Sequence, residues 1–210
     1  SGQAGLGVVC NNSGSPINKG RGWSQANPNN AYGFLSIVVH EVAHMFSATH
    51  TFNGNDAAFC GPAINAPTSY EPGSGTTLMA YPGVCGTQNI TDTNGNTLFN
   101  SSPFFHVANL EQMVSYLNGS GNPCATTSAS GNTPPIADAN ACNAGTPIMI
   151  PLNTPFELIG SATDADNDQL TYSWEQFDAG PPHGAPNVAC GSTTGPIFRS
   201  YPPSNSPSRT

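Results

Sequence analysis

HEVAHMFSATH, His40 to His50, holds three of the chain's five histidines, and Glu41 follows the first of them. On a helix, residues four apart lie on one face, one turn apart. His40 and His44 can therefore put two imidazole nitrogens on one metal ion without bending the backbone. Glu41 projects beside them, too close in sequence to be a comfortable third ligand but well placed to hold a water. His50 cannot reach the same ion if the helix continues, so the chain must break and turn just after His44. Ser47 falls in that turn, where a positive φ is easier for glycine than for an L-residue. The expected penalty is about 1 kcal/mol, against roughly 10 kcal/mol available when imidazoles bind zinc in structural sites.

Around this stretch, Phe34, Leu35, Ile37, Val38, Val39, Val42, Ala43, Met45 and Phe46 leave almost no polar face. That pattern predicts a buried helix from Ala31 to about Phe46. Residues 51–103 read as irregular, punctuated by Gly and Pro. A second helix is signposted by Ser102 as cap, Pro103 in its first turn and Asn118-Gly119 at its end. Val107, Leu110, Val114 and Leu117 recur at helical spacing and are expected to pack on the domain, leaving His106 and Glu111 solvated.

Residues 121–135, GNPCATTSASGNTPP, have the composition of a linker. Beyond it the pattern changes to period two: Phe156 with Leu158, then Leu170, Tyr172 and Trp174. Strand, turn and strand at this spacing predict a small antiparallel sandwich, with Trp174 in its core. The expected division is 1–132 and 133–210. In ATDADNDQLTYSW, Asp164, Asp166 and Asp168 alternate in a turn, where they could hold calcium or simply form a solvated acidic turn. His183, in a PPHGAP loop, is read as incidental.

Composition bounds the function. Of 210 residues 8% are charged, only four are basic, and the formal charge is −8, so no basic patch exists to bind nucleic acid. No apolar run approaches a membrane span. Gly and Pro number 23 and 20, in keeping with a loop-rich extracellular protein. No charged-then-apolar leader stands at Ser1, so any secretion signal is expected to have been removed or to lie outside this sequence. The six cysteines form no CxxC pair and point to an oxidised framework. Sequence proximity and the domain division favour Cys60–Cys85, Cys142–Cys190 and, by elimination, Cys10–Cys124. Six free buried thiols are the competing reading.

HExxH on a helix is the zinc-protease signature, with the glutamate as general base. With a third histidine at this offset, the stretch resembles the metzincin metalloproteases, whose extended motif is HExxHxxGxxH. Ser47 departs from that motif's glycine. TTLMAYPG resembles their methionine turn, which implies Met79 beneath the metal and Tyr81 within reach of it. Bacterial reprolysin-like (adamalysin-like) enzymes are the closest likeness, and pappalysin-like enzymes, which share Thr51-Phe52, are the nearest rival. The resemblance covers about residues 1–124. It implies zinc on His40, His44 and His50, with Glu41 taking a proton from the attacking water and Tyr81 donating a hydrogen bond to the oxyanion. It further implies Gly5, Leu6, Gly7, Val8 and Val9 as an edge strand that pairs with substrate, tied to the domain's end by Cys10–Cys124. Pro82, Gly83 and Val84 would wall the pocket for the residue after the cut.

Metzincin catalytic domains carry a twisted sheet upstream of the zinc helix, but only 39 residues precede His40. The chain is therefore expected to be the C-terminal part of such a domain. The resulting expectation is an α+β chain: part of a metzincin catalytic domain, then a partial all-β module resembling immunoglobulin-like or cadherin-like domains. Its partners would be protein or peptide substrates and the remaining fragment of its own precursor. It would be secreted and bacterial, with zinc and calcium as its ions. The rival class is an extracellular adhesive module with a vestigial or structural metal site.

Overall fold

The computed structural model describes residues 1–13, 19–25, 29–121, 124–139, 149–151, 154–181 and 195–210. Helix α1, Ala31–Met45, starts at Asn30, whose side chain accepts a 2.8 Å hydrogen bond from the Gly33 N–H. Two short strands, β1 (Gly2–Ala4) and β2 (Gly22–Ser24), pair antiparallel and pack on α1. The helix is not buried all round as expected. Leu35 and Val42, on one face, are 58% and 42% exposed, and burial is confined to His40, Glu41 and Ala43.

The expected strand Gly5–Val9 is absent from the structure. Gly7 and Cys10 both take positive φ, which turns the segment around the end of α1. There the N–H groups of Gly7, Val8 and Val9 donate to the carbonyls of His44 and Met45. These are orphan acceptors at a helix end that need partners. A sequence that reads as a strand serves as a helix cap.

Residues 51–103 are irregular as expected, apart from the short 3-10 helices Gly61–Ala63, Ala66–Thr68 and Gly86–Gln88. Burial there is the surprise. All ten residues from Glu71 to Ala80 are buried, and this loop forms the centre of the structure. A buried loop must find partners for its backbone polar groups. Helix α2, Val107–Asn118, lies beside it and begins later than Ser102, with the His106 ring nitrogen accepting from the Ala108 N–H. Ser102 instead donates its N–H to the Thr76 carbonyl at 2.7 Å.

The apolar stripe of α2 faces outward, contrary to the sequence reading: Val107, Leu110, Val114 and Leu117 are all exposed. The inward face carries Ala108, Asn109, Gln112, Met113 and Tyr116. Three of these are polar, and their hydrogen bonds decide the matter. Asn109 Nδ2 donates to the Thr49 carbonyl, Gln112 bonds the Thr49 N–H and hydroxyl, and the Tyr116 hydroxyl donates to the Val9 carbonyl. His106 is fully buried rather than solvated, stacked on Tyr70, whereas Glu111 is exposed.

Of the expected linker 121–135, Gly121 is buried and residues 124–135 are exposed, as are residues 136–139 that follow. Beyond 133 the described residues form two small ladders, β3 (Ile136–Asp138) with β5 (Ser161–Thr163) and β4 (Leu158–Ile159) with β6 (Ser208–Arg209). No continuous strand runs through the Trp174 stretch among the described residues. Tyr172 bridges to Ser204, and Trp174, half-buried, donates its indole N–H to the Pro207 carbonyl. Mixed helices and small sheets make the chain α+β. Cys10–Cys124 and Cys60–Cys85 are bonded as expected, with Cα atoms 5.2 and 4.9 Å apart. Cys142, Cys190 and His183 lie outside the described residues.

Candidate metal centre

The turn that His50 requires is present. Ser47 has φ 75°, in the left-handed region, and its N–H donates to the His44 carbonyl at 2.8 Å. Two residues on, Thr49 is held from α2 by Asn109 and Gln112, which together engage its N–H, hydroxyl and carbonyl. His50 is thereby delivered back under the helix.

His40, His44 and His50 are the one group of three or more His, Cys, Asp or Glu among the described residues whose potential ligand atoms lie within 4.8 Å of one another. Each Nδ1 points at a backbone carbonyl: His40 at Leu78 (2.7 Å), His44 at Ala48 (2.7 Å) and His50 at Ala63 (2.6 Å). A carbonyl can only accept, so each Nδ1 carries the proton. Burial, foremost, pulls His40 down to about 3 and His50 to about 4, and lowers His44 as well. All three rings are therefore neutral at pH 7, and every Nε2 presents a bare lone pair.

Those Nε2 atoms converge, with His50 3.2 Å from His40 and 3.1 Å from His44. With no proton between them, facing lone pairs repel unless a cation sits among them. Ligands at the usual zinc–nitrogen length in tetrahedral array are about 3.3 Å apart. The donor set and its spacing fit zinc.

Glu41 stands next to this group, 7% exposed, and burial raises its pKa above the ordinary carboxylate value. The backbone of Gly2 is pressed against it, since a Cβ there would come within 2.5 Å of its Oε1. Tyr81 packs its ring 4.6 Å from that of His50 and 5.8 Å from that of His40, and burial raises its phenol too. Met79 is fully buried against Ala43 and Ala48, the residues flanking the helix end. A cleft of about 770 Å³ opens over His40 and Glu41, walled by Phe34, Ile37, Tyr81, Pro82, Val84 and Phe99. Gly83, at φ 79°, packs its backbone on Phe99. Of the expected substrate strand, Gly5 lies in a separate shallow cavity with Trp23, and Leu6 is exposed.

Residues 1–102 match the family model described as metallo-peptidase family M12B, reprolysin-like. No curated protein and no solved structure matches the chain. The matched stretch contains all three histidines, Glu41, Met79 and Tyr81. The match and the convergent histidines together support a zinc metalloprotease.

Asp164, Asp166 and Asp168 do not gather in the same way. The Asp164 carboxylate accepts the N–H groups of Asp166 and Asp168, and Asp166 accepts the Thr133 N–H. In this structure the Asp164 carboxylate serves the turn. Sequence reasoning missed Asn109 and Gln112, which bond Thr49 on one side of His50, and Glu71, which bonds Thr51 on the other. Glu71 carried one signal, since it is the only acidic residue between Asp56 and Asp92.

Proposed function

We propose that this chain carries the active site of a secreted zinc endopeptidase of metzincin type. The observation that carries the proposal is the convergence of three unprotonated Nε2 atoms beside a buried glutamate. A purely structural metal would normally be closed by a fourth ligand and has no use for an adjacent base. Bound zinc supplies Lewis-acid chemistry, acidifying a water and polarising a peptide carbonyl.

The chain's own residues do the rest. Glu41 accepts the proton of the attacking water and passes it to the departing amine, and its raised pKa makes it a stronger base for that transfer. Tyr81 stays protonated because burial disfavours its phenolate, so it can donate a hydrogen bond where negative charge develops on the carbonyl oxygen. Pro82 and Val84, which line the cleft, are the proposed wall for the substrate residue after the cut. Gly5 to Val9 lend less support to strand pairing with substrate, since three of their N–H groups cap α1. Residues 133–210 are the proposed accessory β-module, and the two disulfides support an extracellular setting. Calcium has less support, because Asp164 is engaged with its own turn.

The test is Glu41→Gln, assayed for zinc content, fold by circular dichroism and casein hydrolysis. The variant is expected to keep the metal and the fold and to lose hydrolysis. Full activity in it would sink the assignment. In the wild type, one zinc per chain and activity lost to a chelator are expected, whereas absence of bound metal would favour the adhesive-module reading.

A further inference from the structure

Glu71 is completely buried, and its carboxylate is surrounded by donors alone. Oε1 accepts from the hydroxyls of Thr51 (2.7 Å) and Thr77, and Oε2 from the N–H groups of Thr76 (2.7 Å) and Thr77 (3.1 Å); the Thr76 hydroxyl, 3.2 Å from Oε2, donates to the Ser200 carbonyl at 2.8 Å. All four donors are neutral, so this is a hydrogen-bond hub rather than an ion pair. A carboxylate left unsatisfied at such depth would be strongly disfavoured. Its cost is offset here by a complete set of partners.

The two arms that meet on Oε1 lead to the metal centre by different routes. Thr51 directly follows His50. Thr77 directly precedes Leu78, whose carbonyl fixes the His40 ring. Across the same gap the Thr51 N–H reaches the Met79 carbonyl only at 3.4 Å, a weak link at best. Beside the packing of Met79 on Ala48, the carboxylate is thus the polar side-chain tie between the segment that carries His50 and the segment that orients His40.

We infer that Glu71 is a positioning residue of the metal centre, setting the separation of the His40 and His50 nitrogens. The inference rests on the zinc reading above. A carboxylate meets the need, since four donors converge on its two oxygens and a glutamine would turn an NH2 group towards two of them.

The test is zinc affinity of the folded apo-protein, measured by competition with a chromophoric chelator. Glu71→Gln is expected to weaken zinc binding about tenfold or more, the range seen when groups that orient ligands are altered. Thr76→Val removes a hydroxyl that lies 3.2 Å from the same carboxylate and donates to the Ser200 carbonyl, without touching either arm on Oε1, and should stay within about twofold of wild type. Should Glu71→Gln fail to fold, the double variant Thr51→Val/Thr77→Val takes its place with the same expected loss. Wild-type affinity in Glu71→Gln, or in the double variant where that is used, overturns the inference. So does an equal loss in Thr76→Val, which would mark a general structural role. A wild-type protein that binds no zinc would overturn the zinc reading itself, a separate outcome.

Discussion

Glu71–Ala80 and residues 124–139 are built from similar material, rich in Gly, Pro, Ser, Thr and Ala, and neither contains helix. The first is buried at every position and the second exposed at every position. What separates them is an internal acceptor. In the first, one carboxylate collects two backbone N–H groups and two hydroxyls, and the Thr76 hydroxyl donates to the Ser200 carbonyl, so the loop can leave water with these donors satisfied. The second has no such hub among the described residues: its side chains stay in solvent, β3 satisfies its backbone by pairing with β5, and the Thr133 N–H goes to Asp166. Composition therefore predicts irregular backbone but not its burial. Burial depends on who satisfies the backbone.

The sharpest way to break this comparison is Glu71→Ala. Four donors lose their partner in a dry site, so a loss of about 3–5 kcal/mol in urea unfolding is expected. Ser128→Ala in the exposed segment should stay within about 0.5 kcal/mol. A second pair is matched more closely, because Gly75 and Gly131 both have positive φ, at 63° and 75°. A Cβ at Gly75 would meet the Ala80 Cβ at 2.6 Å, whereas one at Gly131 meets nothing within 4 Å. Gly75→Ala should cost about 2–3 kcal/mol and Gly131→Ala about 1 or less, read from the same denaturation curves. Equal costs would mean that backbone strain alone, and not burial, distinguishes the two segments.

A smaller effect comes from the contact of the C-terminal region with the buried half. The Glu175 carboxylate accepts the Val107 N–H at 2.6 Å, and burial, foremost, raises it to about 7. Glu71 and His106 are the titratable neighbours, the former raising Glu175 further and itself interacting with His106. A raised carboxyl pKa stabilises the fold below its unfolded value, and that contribution is lost as pH rises through about 7. Thermal midpoints of wild type relative to Glu175→Gln should thus fall between pH 5 and 8. A difference independent of pH would show that Glu175 does not titrate in this window.

The smallest expected change is Ser47→Gly. Relief of left-handed strain, about 1–2 kcal/mol, is partly cancelled by the greater freedom of an unfolded glycine, leaving a gain of roughly 0.5 kcal/mol. Zinc affinity should be unchanged, and a marked increase would mean that the serine distorts the site.

The metal centre was the most legible part of the chain. Offsets of four and ten residues admit one solution, a helix that stops between His44 and His50, and Ser47 takes the backbone conformation which that solution demands. The two described disulfides also followed from spacing and the domain division. What could not be read is the support behind the ligands. Asn109 and Gln112 sit on the polar face of a helix whose periodicity argued that the opposite face was buried. Apolar spacing detects hydrophobic packing and is blind to a helix that docks through hydrogen bonds. For the same reason the GLGVV stretch looked like a strand, although its N–H groups are used to cap α1. The β-region was legible only in part: among the described residues its period-two stretches pair in ladders of two or three residues and one isolated bridge.

The three imidazoles are aimed by the carbonyls of Leu78, Ala48 and Ala63, and none of these acceptors belongs to a side chain. Any amino acid at those positions would offer the same oxygen. As far as ring orientation is concerned, the three positions are free to drift, and no single replacement there can delete the acceptor. Inheritance of this site is thus inheritance of a chain path. Kinship among such sites would show itself in the course of the main chain, and comparison of the residues nearest the metal would miss it.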